Sequence, residues 1–115
     1  MRTILAFLLL AAPVLAGDEL ENCRRLAPKY GAETEAVQWD GTRVDLLSDE
    51  YAIEVDWCNK WPEAVGQCQW YSIVTGRHPG VVLLIKDKKA EAQHIYRATA
   101  VCDRLGIRLW LEDAK

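Results

Sequence analysis

The chain has no CxxC pair, and its two histidines, His78 and His94, do not fall at ligand spacing beside its cysteines. That pattern excludes the usual structural zinc sites. There is no internal repeat, no low-complexity run and no linker, so a repeat array is excluded and one compact unit is implied. Positive charge is also in short supply. The formal net charge is −3, which argues against a strong general polyanion binder while leaving room for a local basic patch. The leading apolar stretch, Ile4 to Ala12, is too short to span a bilayer.

That stretch reads as the core of an export signal. Arg2 supplies the positive start, and Val14-Leu15-Ala16 offers small residues at the positions that matter for cleavage before Gly17. The expectation is a signal peptide over 1–16, a single domain over 17–115, a secreted or periplasmic location and no membrane association after cleavage. No cysteine follows the cut, so nothing there suggests a lipid anchor. Half of the residues are hydrophobic and five are tryptophan, enough to build a core. Four cysteines remain, and an even count in an exported small domain suggests disulfides. Three pairings are possible. Cys23 lies on the helical stripe Leu20-Cys23-Ala27-Tyr30, and Cys102 lies on the stripe Ile95-Ala98-Cys102-Leu105. Cys58 and Cys68 flank the start of one helix. The pairing this favours is Cys23–Cys102 with Cys58–Cys68.

Patterning predicts a helix from Asp18 to Tyr30, ended by Gly31. Short strands follow near Ala36–Trp39, Arg43–Leu47 and Tyr51–Asp56, the first two joined by the Asp40-Gly41 turn. Pro62 opens a helix that Gly76 stops. Val81 to Ile85 is a continuous apolar run, as in a strand buried on both faces. A helix over Lys89–Leu105, stopped by Gly106, and a strand over Ile107–Leu111 close the chain. The expected class is α/β (α+β): a mixed β-sheet flanked by helices in the order αβββαβαβ.

Three carboxylates stand out against this frame. A tight turn at Ser48-Asp49-Glu50 pairs residues whose numbers sum to 99, which sets Asp45 opposite Glu54 and Arg43 opposite Asp56. Opposed residues share a face, and so do Glu54 and Asp56, two apart on one strand. Acids gathered this closely repel unless a cation joins them. A hard divalent ion with oxygen ligands suits the set.

The segments Arg43-Val44-Asp45-Leu46-Leu47, Ala52-Ile53-Glu54-Val55-Asp56-Trp57, Gln67-Cys68-Gln69-Trp70-Tyr71 and Val81–Ile85, in this order, resemble the PD-(D/E)XK nuclease superfamily, in particular its RecB-type and Holliday-junction-resolvase-like members. The resemblance covers nearly all of 17–115 and implies a restriction-endonuclease-like core. It implies Mg²⁺ or Mn²⁺ held by Asp45, Glu54 and Asp56, with an acid from or just after the first helix, Glu33 or Glu35. It implies hydrolysis of phosphodiester bonds, DNA as the favoured partner over RNA, homodimers in many relatives, and substrate contacts from Gln67 and Tyr71. The chain departs from the pattern where the family carries lysine, since Asp56 stands there. Either Asp56 takes a second metal or a proton from water, or Lys60 supplies the displaced ammonium, or activity has been lost. The last case describes a disulfide-stabilised binding or structural domain. A weaker alternative is an inhibitor or immunity-type protein with exposed tryptophans as anchors. Trp57 and Trp61 flank the acids and are expected either to stack on bases or to pack over the site. His78 is expected at the surface, and Lys86-Asp87-Lys88-Lys89 to be a solvated run or a phosphate contact.

Overall fold

The computed structural model describes residues 17–115. The expected export signal falls in 1–16, outside the described residues. The order of elements is α1 (Gly17–Tyr30), β1 (Glu33–Val37), β2 (Arg43–Leu47), β3 (Tyr51–Trp57), a short 3₁₀ turn (Cys58–Lys60), α2 (Trp61–Thr75), β4 (His78–Ile85), α3 (Ala92–Leu105) and β5 (Arg108–Asp113). The result is a mixed α+β domain. Its five strands lie in the order β1-β2-β3-β4-β5. The first three form an antiparallel meander, and β3, β4 and β5 run parallel. Parallel neighbours need crossovers, and α2 and α3 supply them.

Each helix ends where a glycine takes a positive φ: Gly31 at 59°, Gly76 at 72° and Gly106 at 69°. After α1 the Ala32 N–H returns to Ala27 O at 3.0 Å, and after α3 the Ile107 N–H returns to Cys102 O at 2.9 Å. These bonds satisfy carbonyls that a bare helix end would leave open.

The sheet has a core on each face, as the apolar run in β4 requires. Val82 and Leu84 pack with Leu46, Ile53 and Val55 against Cys23, Leu26 and Ala27 of α1. Val81, Leu83 and Ile85 face the other way, onto Ala64 and Cys68 of α2 and Ala98 and Cys102 of α3. At Gly80 an added Cβ would stand 2.8 Å from the Trp110 ring and 3.2 Å from Ile53. That glycine is where Trp110 closes on β4. The same indole meets Tyr30 and Tyr51 edge-on, each at 5.1 Å.

The cysteine pairing expected from the sequence is corrected here. All four cysteines are free and buried. Cys23 belongs to the core on the α1 side, while Cys58, Cys68 and Cys102 belong to the core on the other side. A Cys23–Cys102 bond would have to cross the sheet, and a disulfide spans only about 6 Å between Cα atoms. Cys58–Cys68 is not formed either. The helical stripes placed Cys23, Ala98 and Cys102 in a core, though Leu105 at the end of the second stripe is exposed. A sheet with two covered faces has two cores, and periodicity does not say which one a stripe faces.

Two boundaries also move. The first strand ends at Val37, and Trp39 sits at the hairpin tip, where Gln38 N–H meets Thr42 O at 2.8 Å. The last helix starts at Ala92 because Lys86 to Glu91 is a capped turn. Glu91 Oε1 accepts from the Lys86 and Asp87 N–H groups at 2.8 and 3.0 Å, and Asp87 Oδ1 accepts from Lys89 and Ala90 at 3.1 Å each. Those amides have carboxylate partners, which weakens the phosphate-contact expectation for this run.

Candidate functional site

The meander holds the register expected of it only in part. Leu46 faces Ile53 and Leu47 faces Ala52, so the numbers sum to 99. The ladder stops there. Asp45, next in line, turns its side chain into the seam, and its Oδ2 accepts the Val55 N–H at 2.8 Å. A carboxylate thus takes the place of a strand carbonyl where β2 leaves β3. On the other side of β2 the ladder to β1 skips the same level, pairing Thr34 with Leu46 and Ala36 with Val44. Glu35 is the residue left between them, with φ at +49°, the left-handed region that an ordinary side chain resists. The strict alternation of sides fails here. Val44 packs with Leu47, Ala52 and Tyr71, whereas Leu46 packs beneath α1. The strands splay and kink at Asp45.

Four acids meet at this splay. Glu54 and Asp56 on β3 are 8% and 6% exposed. Asp45 comes from β2. The fourth is Glu19, from the first turn of α1, which shares a hydrogen bond with Asp56. The Tyr71 hydroxyl on α2 donates to Glu54 Oε1 at 2.7 Å, and the Trp57 N–H donates to Asp56 Oδ1 at 2.8 Å.

Their ionisation reflects that crowding. Burial pushes the Asp45 carboxyl up to about 6; hydrogen bonds from Glu54 and from the Val55 N–H pull the other way. Burial, then the Asp45 charge, pushes Glu54 well above its ordinary range. Burial, then the charges of Asp56 and Asp45, raises Glu19 to about 7. Asp56 is raised by burial as well. The hydrogen bonds between neighbouring carboxyls raise Glu54 and Glu19 and lower Asp45 and Asp56, so in each pair the glutamate is the member that favours its proton. Lys60, at the end of the 3₁₀ turn, is the cation whose charge acts on both Glu19 and Asp56 and eases their ionisation. It is exposed, and no ion pair within 4 Å forms between it and either acid among the described residues.

Other expected residues fall into place or out of it. Arg43 does not reach Asp56. It lies 3.6 Å from Glu35 on the opposite strand. Glu35 therefore faces Arg43 at the rim and bears on Asp45 through its charge alone. Gln67 is exposed on α2, one turn before Tyr71. Trp57 is half-buried against the α1-side core with the Lys86 ammonium 4.5 Å from its ring centroid, and Trp61 packs on the opposite core, so neither fills the splay. Pairing sums could not have found Glu19. Its signal was an acid at i of the stripe Glu19-Cys23-Leu26, on the face α1 buries.

The donor set is all carboxyl oxygen, which once deprotonated suits a hard divalent cation rather than zinc. Among the described residues no group of three or more His, Cys, Asp or Glu is arranged to hold a metal ion. The carboxyls are instead held by protons, backbone N–H groups and Tyr71. Scans against protein-family models, curated proteins and solved structures return no match for this chain.

Proposed function

We propose that this protein is an exported, metal-dependent phosphodiesterase of the restriction-endonuclease-like kind, acting on DNA. The observation that carries the reading is the group of acids at the β2–β3 splay, Glu54 and Asp56 buried and Asp45 and Glu19 half-buried, which no arginine among the described residues pairs with and neither Trp57 nor Trp61 covers. Buried acids without cations are costly to keep. An arrangement that buries Glu54 and Asp56 and sets the half-buried Asp45 and Glu19 against them is best understood as prepared for a cation. The element order fits the same reading, and so does the Asp45 carboxylate that interrupts the ladder.

Asp45, Glu54 and Asp56 would hold Mg²⁺ or Mn²⁺. The ion, when bound, would polarise a phosphoryl oxygen and lower the pKa of an attacking water. The chain does the rest. Tyr71 holds Glu54 in one orientation, and the Val55 and Trp57 amides do the same for Asp45 and Asp56. Glu19, protonated up to about pH 7, sits where it can give up or accept a proton beside Asp56. Lys60 supplies the positive charge that the aspartate at position 56 does not. A homodimer would help a chain of net charge −3 collect enough phosphate contacts.

The test is plasmid cleavage with Mg²⁺ and with Mn²⁺, beside Asp45→Asn and Glu54→Gln. Metal-dependent cleavage that falls at least about a hundredfold in each variant is expected. A folded wild-type protein that cleaves under neither metal overturns the reading and leaves a binding domain with a nuclease-like frame.

A further inference from the structure

The exposed tryptophans are not the two that flank the acids. They are Trp39 at the β1–β2 hairpin tip, 81% exposed, and Trp70 on α2, 45% exposed, with Val37 and Ile73 exposed beside them. Both indoles have already used their N–H group. Trp39 Nε1 donates to Val74 O at 3.0 Å, and Trp70 Nε1 donates to Thr42 Oγ1 at 3.0 Å. Thr42 Oγ1 passes its own proton to Asp40 Oδ2 at 2.8 Å. These bonds lace the hairpin tip to the helix. They pin two large rings while leaving ring surface open. An indole whose single donor is spent inside the protein offers a partner only its π-face and edges.

We propose that Trp39 and Trp70 are a stacking platform for the bases of an unpaired DNA strand, which makes single-stranded DNA the substrate class of the carboxylate site. The proposal rests on the phosphodiesterase reading above for its second half, and on the platform alone for its first. Two observations favour nucleobases as the occupant. The first is charge. Affinity gained by neutralising phosphates needs an excess of cations, and this chain has a net charge of −3, with Arg43, beside the hairpin tip, already facing Glu35. Stacking on an aromatic face contributes affinity without neutralising a phosphate and tolerates any base. The second is position. Thr42, which anchors Trp70, lies three residues before Asp45, about 10 Å along an extended strand. Trp70 is also the chain neighbour of Tyr71, whose hydroxyl holds Glu54. A base stacked on the platform brings the phosphates of its own strand toward the acids.

The experiment is binding of a short fluorescent oligothymidine in the presence of chelator, beside an abasic oligomer of equal length, at low and at physiological salt. The protein is compared with Trp39→Ala, Trp70→Ala, Trp39→Phe and a control, Tyr96→Ala, which removes an exposed aromatic on α3. Oligothymidine is expected to quench tryptophan emission and to bind with little salt dependence. Each tryptophan-to-alanine change is expected to weaken binding about tenfold, whereas Trp39→Phe and Tyr96→Ala keep it. The abasic oligomer is expected to bind no better than the alanine variants. Equal binding of the two oligomers, or unchanged binding by folded alanine variants, overturns the platform. So does a dimer, seen by sedimentation, that Trp39→Ala dissolves while oligomer binding is absent. Since no metal is present, the two readings fail separately. Intact stacking without cleavage under added metal removes the nuclease, and cleavage without stacking removes the platform.

Discussion

At the scale of single residues, the site is a problem in proton sharing. Asp45 and Glu19 keep their protons up to about 6 and about 7, against ordinary values of 3.8 and 4.5, chiefly because burial disfavours their charged forms. In that interval the folded chain binds protons that the unfolded chain has released. Its stability is therefore full below the ordinary values and is lost as pH rises through 6 and then 7. The melting temperature in chelator is expected to fall between about pH 5 and about pH 8, and Asp45→Asn is expected to flatten that fall. Mg²⁺ added at the upper end is expected to raise the melting temperature again, because it replaces the missing protons. A melting temperature that climbs over the same range in chelator would mean that the acids do not share protons. Tyr71 belongs to the same network. Its hydroxyl is held well above the ordinary tyrosine range by burial and by the charges of Asp45 and Glu54, so it acts as a fixed donor to Glu54 and not as a base.

At the scale of elements, the kink in the meander matters more than any one acid. Glu35 stands at φ +49° between two bridged pairs, level with Asp45. Left-handed backbone at a non-glycine residue costs about 1 kcal/mol or more and persists only where the surroundings impose it. Glu35→Gly is expected to be neutral or to stabilise by about 0.5–1 kcal/mol, since the ion pair it loses with Arg43 is a half-exposed one of little worth. Glu35→Val is expected to destabilise by about 1–2 kcal/mol, because a β-branched side chain resists that conformation most. Urea denaturation of the two variants checks both signs. A destabilised glycine variant with an unharmed valine variant would place the strain elsewhere. Strand propensity in Glu33–Val37 gave no hint of this kink. Propensity describes a pleated strand, and the kink arises from Asp45 bonding to a third strand.

At the scale of the whole molecule, a five-stranded sheet covered on both faces decides what the cysteines can do. Three of them lie in the core under α2 and α3 and one lies under α1. Burial lifts the thiols, Cys58 to about 11 and Cys68 to about 12, so thiolate is scarce at neutral pH. The native protein is expected to take up no iodoacetamide at pH 7, and the unfolded protein to take up four equivalents, one for each cysteine. A reductant is expected to leave the melting temperature unchanged. Fewer than four adducts after unfolding without reductant would mean that a disulfide forms. The C-terminus is tied in at this scale too. Asn22, buried in α1, holds the Asp18 carbonyl at 3.0 Å and accepts from Arg25 at 2.7 Å and from the Lys115 N–H at 3.2 Å.

The sequence by itself determined the order of the elements, the glycines that end the helices, the doubly buried strand at Val81–Ile85 and the part of the β2–β3 register that pairs Leu46 with Ile53 and Leu47 with Ala52. All of these follow from local chemistry: periodicity, turn residues and backbone freedom act within a few positions of one another. Tertiary structure alone decided that Glu19 joins the acids, that Arg43 turns to Glu35 and not to Asp56, that Cys23 is walled off from the other thiols, and that Trp39 and Trp70 are the indoles left outside. Each of these depends on which face of the sheet an element covers and where two strands separate. Face and separation come from contacts between segments far apart in the chain, and no spacing within one segment encodes them.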